Sequence, residues 1–406
     1  MTYSQADITV PYAVANFAEI RHKGYYYVDK TNYVPLLERY KAPVFLRPRR
    51  FGKSLLVSML AHYYDRNMAT QFKDLFGGTW IGEHPTNEHN QYLVVRYDFS
   101  TTSVASKKED IEKNFNAVNC SPLRTLVERN RDLFGDFRFR EDGNASNMLV
   151  EVCEFISSHN LPPLYILIDE YDNFTNQLLV VYKDSLYQDL TTGESFLRTF
   201  FKVIKAGIGE GTIRTCFCTG VLPVTMDDLT SGYNIAEMLT LKPEFTNLLG
   251  FTHEEAAQYL KYVINKYGPQ ASFEELWTLI LNNYDGYHFL PNAEPLFNST
   301  ILTYFLKNFA ELKGGIPTEM VDENLRTDTS WIRRLTITLD NAKEMLDSLL
   351  MDGELYYSQA DLRSKFNKQK FFSPEFYPIS LYYLTTKSVC KSIRSLYRRK
   401  QGLQDF

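Results

Sequence analysis

The stretch that most constrains the fold is Val44-Phe45-Leu46-Arg47-Pro48-Arg49-Arg50-Phe51-Gly52-Lys53-Ser54-Leu55-Leu56. It opens as a short apolar run that reads as a buried strand, and it passes through Gly-Lys-Ser. A helix-forming run carrying Leu55, Leu56, Met59 and Leu60 follows. Strand, tight loop and helix, with a lysine and a hydroxyl at the helix start, suit a polyphosphate. The first N–H groups of a helix have no intrahelical partner and carry partial positive charge. Gly52 lets the backbone approach phosphate closely. Lys53 would neutralise phosphate oxygens and the Ser54 hydroxyl would bind Mg²⁺. The full pattern G-x-x-x-x-G-K-[ST] asks for glycine where this chain has Arg47, so only its second half is intact. The alternative is a basic loop, Arg47, Arg49, Arg50 and Lys53, that solvates itself or touches an acidic partner.

A second stretch bears on that choice. Leu164-Tyr165-Ile166-Leu167-Ile168-Asp169-Glu170-Tyr171-Asp172 is an apolar run ending in adjacent carboxylates. Continuous apolar runs belong to strands buried on both faces of a parallel sheet, where ligands sit beyond the carboxyl ends. Asp169 is then placed to hold Mg²⁺ and Glu170 to orient and deprotonate an attacking water. The alternative is an ordinary acidic loop after a core strand.

The rest of the chain extends this pattern. Strands are expected at 42–47, 92–99, 164–169, 214–219 and 237–242, alternating with helices, which is a parallel α/β sheet. Thr219, at the end of the fourth, is a candidate γ-phosphate sensor or a strand-end hydroxyl capping the next turn. Residues 1–16 read as a loosely ordered tail. Residues 17–31 read as a short helix and then a strand around 25–28, and residues 29–40 as a helix. Tyr27 and Asp29 are candidates for the nucleotide-base end, against a core tyrosine and a helix-start aspartate. Helices are expected at 53–65, 104–118, 122–133, 148–158 and 195–207, with 174–193 as an insertion. Thr252 and Glu255 have the form of a capping box. The helices expected after it, 253–267, 272–283 and 295–309, make a small lid, and His288 beside it reads as a packed turn histidine, the alternative being an approach to the nucleotide. Residues 311–375 read as mostly helical. Glu311-Leu312-Lys313 has a nuclease-like spacing but lacks an upstream aspartate on a strand.

At this point the chain resembles the bacterial AAA-ATPase-like family of P-loop ATPases, over residues 17–383. The resemblance rests on Phe17-Ala18-Glu19-Ile20-Arg21, Gly24-Tyr25-Tyr26-Tyr27-Val28-Asp29-Lys30-Thr31 and the loop Arg47-Pro48-Arg49-Arg50-Phe51-Gly52-Lys53-Ser54. Asp169-Glu170-Tyr171-Asp172, Tyr284-Asp285-Gly286-Tyr287-His288-Phe289 and Phe376-Tyr377-Pro378-Ile379-Ser380 complete it. It implies that the loop without its first glycine is the family's usual form. It also implies ATP and Mg²⁺ as ligands. The nucleotide contacts would be Arg49, Arg50, Phe51, Gly52, Lys53, Ser54, Leu55 and Thr219; the metal would fall to Ser54 and Asp169, and catalysis to Lys53 and Glu170. Family members usually continue into a domain resembling PD-(D/E)xK nucleases. Here the chain turns basic over 387–400, with Arg394, Arg398, Arg399 and Lys400, and stops at Phe406. That end reads as a truncated terminus, or as a contact for nucleic acid or an acidic partner, so nuclease activity is not carried over.

These readings give a tail (1–16), a P-loop ATPase core with a five-stranded parallel sheet (17–249), a helical lid (250–310), a mostly helical region (311–383) and a basic tail (384–406). Length suits two or three units: 406 residues, 44% hydrophobic and 23% charged. A net charge of −5 gives no global basic field, so nucleic-acid binding would need a local patch. No run approaches the roughly 18 apolar residues that span a bilayer. The start shows no leader pattern, and five cysteines form no metal or disulfide framework, which fits a reducing cytoplasm. Three functions remain: an ATP-hydrolysing switch, a nucleotide-gated binding module with little turnover, and an accessory to a nuclease. The partner is an unknown protein or nucleic acid, and an oligomer is open.

Overall fold

The computed structural model describes residues 9–140, 143–181, 183–191, 194–229, 232–268, 271–287, 289–290, 293–320 and 368–373. Five parallel strands form one sheet in the order β2-β3-β4-β1-β5. They are β1 (Pro43–Leu46), β2 (Leu93–Asp98), β3 (Leu164–Asp169), β4 (Ile213–Gly220) and β5 (Glu237–Met238). All five expected strands are present, within about two residues except at β5. β5 is cut to two residues because its pairing ends once Glu237 N and Leu239 N have bonded to Ala42 O and Val44 O.

The burial pattern explains the strand sequences. β1 and β3 are buried at every position, as helices cover both faces of the sheet there. β2 lies at the edge and alternates, with Arg96 exposed. The helices Lys53–Tyr64, Lys108–Arg129, Ala145–His159 and Phe196–Glu210 cover the sheet. Their buried side chains, such as Leu60, Phe115, Val152 and Phe200, join those of the strands in one core. Cys216 and Cys218 lie on one face of β4, fully buried, with sulfurs 3.7 Å apart.

Several local expectations are corrected. The break expected near residue 120 is absent: one helix runs from Lys108 to Arg129 through Pro122. Proline there removes one hydrogen bond, but Ile111, Phe115, Leu123 and Leu126 stay buried on a common face. Residues 25–28 form no strand and join no sheet among the described residues; Tyr26 instead stacks on Tyr259, centroids 4.1 Å apart. The helix expected over 29–40 shrinks to a 3₁₀ turn at Thr31–Tyr33 and a short helix Val34–Leu37. The insertion at 174–193 holds two helices, Asn173–Val180 and Asp184–Thr191. Residues 9–16, expected to be loose, are pinned: Thr9 N donates to the Tyr267 hydroxyl at 2.8 Å and Val10 is buried.

Beyond the sheet, helices His253–Tyr267, Phe273–Tyr284 and Ser299–Glu311 pack around a second cluster including Leu260, Ile280 and Phe305. Capping boxes open the first two, Thr252 with Glu255 and Ser272 with Glu275. Glu311 ends the third and pairs with Lys307 at 3.2 Å. His288, Cys390, most of 311–383 and the basic tail lie outside the described residues. Among the described residues, no helix is long and apolar enough to cross a membrane.

Candidate nucleotide-binding site

The loop between β1 and helix Lys53–Tyr64 is built around a buried cation. Arg47 has no exposed surface; its guanidinium donates to Leu46 O (3.0 Å), Thr240 O (3.1 Å) and Thr246 O (3.1 Å). It lies between the rings of Phe45 and Phe289, 4.3 and 3.8 Å from their centroids. Carbonyl partners and ring faces offset the cost of burying the charge. Arg47 is thus a post under the loop rather than a solvated side chain. Arg49 and Arg50 are exposed, and Phe51 is buried edge-on against Tyr287 at 4.8 Å. Two residues turn the chain left-handed: Arg50 at φ 73° and Gly52 at φ 93°, the latter capping the helix. At Gly52 there is room for a Cβ, so the backbone angle is what asks for glycine.

Lys53 is 5% exposed, and its ammonium donates to Arg47 O (3.1 Å) and Pro48 O (3.2 Å). The same nitrogen lies 3.9 Å from Glu170 Oε1. The loop and the acidic strand tip therefore meet at the carboxyl ends of the strands, although β4 runs between β1 and β3. Asp169 is 2% exposed. Burial pushes its carboxyl up; a hydrogen bond with Ser54 and the charge of Lys53 pull it down, while Glu170 and Asp98 add to the rise. Glu170 has φ 50°, a left-handed angle that costs a non-glycine residue energy. Its N–H donates to Asp169 Oδ1 at 3.0 Å, and its Oε2 accepts from Asn173 Nδ2 at 3.4 Å.

Asp172 does not line the cleft that opens over the loop. It is buried, accepts from Leu222 N (2.7 Å), Val221 N (3.2 Å) and Asn176 Nδ2 (2.6 Å), and ties the tip of β3 to that of β4. Burial first, and then the charge of Glu170, lift its carboxyl to about 6. A Cβ on Gly220 would meet Asp172 Oδ1 at 2.3 Å, so the close approach of the two tips requires glycine.

A cleft of about 510 Å³ opens over the loop. All of residues 49–55 line it, with Asp169 and Glu170. Thr219 does not line it; its hydroxyl is buried and donates to Phe45 O at 2.8 Å, between β4 and β1. Tyr27 lines the cleft. Asp29 does not, and instead accepts from Thr31 N (2.9 Å) and Trp80 N (2.7 Å). Sequence reasoning missed Asp98, Lys30, Asn173, Ser299, Thr300 and Thr303, which all line the cleft. Asp98 had a signal, since it ends an apolar strand as Asp169 does and is its register partner. Lys30 is buried and bonded to Glu255 at 2.6 Å, a contact across 225 residues that no local pattern announces.

Among known proteins, the chain is similar to an uncharacterized protein in the vnfD 5′ region of Azotobacter chroococcum mcd 1, 26% identical over 255 residues. That match covers 61% of this chain and 43% of the relative, so the chain spans less than half of the relative's length. A family described as predicted AAA-ATPase matches residues 11–230, which hold β1 to β4, the loop and the acidic tip together. The chain belongs to this AAA-ATPase-like family.

Proposed function

We propose that the chain binds ATP with Mg²⁺ in this cleft and hydrolyses it. The observation that carries the reading is the 3.9 Å approach of Lys53 Nζ to Glu170 Oε1 in a cleft that Ser54 and Asp169 also line. The triphosphate would lie on the N–H groups of residues 49–55, and Lys53 would turn its ammonium from loop carbonyls to phosphate oxygens. The donor set suits a hard cation, with a hydroxyl at Ser54 and a carboxylate at Asp169. Among the described residues no group of three or more acidic, His or Cys side chains forms an all-protein cage. Mg²⁺ asks for no such cage, since phosphates and water fill most of its shell. When bound, it would withdraw charge from the phosphate oxygens. Glu170 would accept the proton of the attacking water, and Lys53 would stabilise charge on the transferred group.

Turnover would change how the helical residues 250–310 are held against the core 17–249. The helices of that region pack around a buried cluster of their own, while Tyr287, Phe289 and Leu296 join the cluster of the sheet and tie the two together. A cytoplasmic setting and an unidentified protein or nucleic-acid partner belong to the same proposal.

A second reading is nucleotide-gated binding with little turnover. One contact favours it: the Glu170 carboxylate is engaged by Lys53 and Asn173 rather than left to a water. Nucleotide affinity and single-turnover hydrolysis, measured on the chain and on Lys53→Ala and Glu170→Gln, separate the readings. Hydrolysis predicts loss of binding in the first variant, and retained binding without turnover in the second. Equal hydrolysis by Glu170→Gln would refute its assigned role.

A further inference from the structure

The phosphate loop is held from outside by the first turn of a helix some 250 residues further along the chain. Asn298 Nδ2 donates to Arg49 O at 3.0 Å. Arg50 O receives three bonds: Thr300 Oγ1 at 2.7 Å, Thr300 N at 3.1 Å and Ser299 Oγ at 3.2 Å. Asn298 also caps its own helix, its Oδ1 accepting from Thr300 N and Ile301 N. Arg50 is the residue of the loop that adopts a left-handed angle without being glycine. Such a residue persists where its surroundings over-determine it.

The geometry points to Asn298 and Thr300 as positioning residues for phosphate binding. This rests on the nucleotide reading of the cleft. In a planar trans peptide the C=O of one residue and the N–H of the next point in opposite directions. Fixing Arg49 O and Arg50 O on helix Ser299–Glu311 therefore turns the N–H groups of Arg50 and Phe51 away from that helix, where an anion on the loop meets them. The left-handed turn at Arg50 would otherwise relax to a commoner angle and rotate those donors. Coupling of this kind is reciprocal: a loop held in shape by the helix binds phosphate more tightly, and a bound phosphate holds the helix more firmly.

The test uses the full chain and Mg-ATP. Thr300→Val removes the hydroxyl donor. Asn298→Ser keeps a helix cap but removes the amide donor. The double variant is expected to weaken Mg-ATP binding about tenfold with the melting temperature nearly unchanged, and Thr300→Ser to restore most of the affinity of its single-site parent. Hydrogen exchange at the amides of residues 50–56, measured without nucleotide, is expected to speed up in the double variant. Unchanged affinity in a double variant whose wild-type parent binds Mg-ATP overturns the positioning role alone. If the parent binds no nucleotide, the nucleotide reading falls; faster exchange in the variant would then still support the hold on the loop, and unchanged exchange would remove that as well.

Discussion

The Arg47 guanidinium lies 3.8 Å from the centre of the Phe289 ring, so the residue where the general loop pattern has glycine is wedged between the sheet and the segment leading to the third helix of the second cluster. Its donors satisfy Leu46, Thr240 and Thr246 carbonyls from three separate stretches of chain. The loop can dispense with a flexible first glycine because this side chain fixes the turn from beneath.

Restoring the general pattern should therefore harm the protein. Arg47→Gly leaves buried carbonyls without donors and opens a cavity between two rings. A loss of roughly 3 kcal/mol of stability is expected. Arg47→Lys should recover little of it, since an ammonium cannot reach three carbonyls in one plane or stack on rings as a guanidinium does. Urea denaturation of both variants checks this; a wild-type midpoint for Arg47→Gly would mean that the buried arginine contributes nothing.

Asp172 predicts a pH dependence of stability. Its carboxyl titrates at about 6 in the folded chain against an ordinary 3.8. A raised value means that the folded state holds its proton more tightly than the unfolded state. The resulting stabilisation is complete below the ordinary value and is lost as pH rises through about 6. Asp172→Asn does not titrate. Its stability relative to wild type should improve by about 1 kcal/mol between pH 5 and pH 8, whatever the fixed cost of exchanging a carboxylate for an amide. A difference that stays flat over that range would contradict burial as the dominant influence on this group.

Glu170 combines a left-handed backbone angle with the proposed role of base. Glycine takes that angle without penalty, although it loses more chain entropy on folding. Glu170→Gly should unfold at a free energy equal to wild type or up to about 1 kcal/mol higher, while hydrolysis stops. Calorimetry and a phosphate-release assay on one preparation test both halves. A variant less stable than wild type would show that the side-chain contacts with Lys53 and Asn173 outweigh the backbone strain.

What the sequence showed and what it hid divide along physical lines. β1 and β3 were legible because each is a short apolar run closed by turn or charge signals, and burial on both faces leaves no room for other patterns. Lys53 and Glu170 could be singled out because each follows one of those strands in the chain, and the structure sets them 3.9 Å apart. Residues 25–28 were misread: three tyrosines and a valine favour a strand, but Tyr26 stacks on Tyr259 across the chain, and among the described residues the segment joins no sheet. Residues 104–118 and 122–133 read as two helices, but one helix runs through Pro122, since packing on either side of it outlasts one missing hydrogen bond. Lys30 with Glu255, and Thr300 with Arg50, depend on contacts more than 200 residues apart, for which a single sequence holds no local sign.

Thr219 separates a sensing role from a tie between strands. It is the register partner of Phe45, and its hydroxyl donates to the Phe45 carbonyl immediately before the loop. Valine matches its shape and removes the donor. A residue that touched the γ-phosphate would lose turnover on this change by a factor on the order of 10². A residue that only links β4 to β1 would cost about 1 kcal/mol of stability and leave turnover within a few-fold. The buried hydroxyl, its short bond to β1 and its position outside the cleft lead to the second outcome for Thr219→Val. A collapse in turnover with unchanged stability would return Thr219 to the site, and would mean that its bond to Phe45 breaks when nucleotide binds.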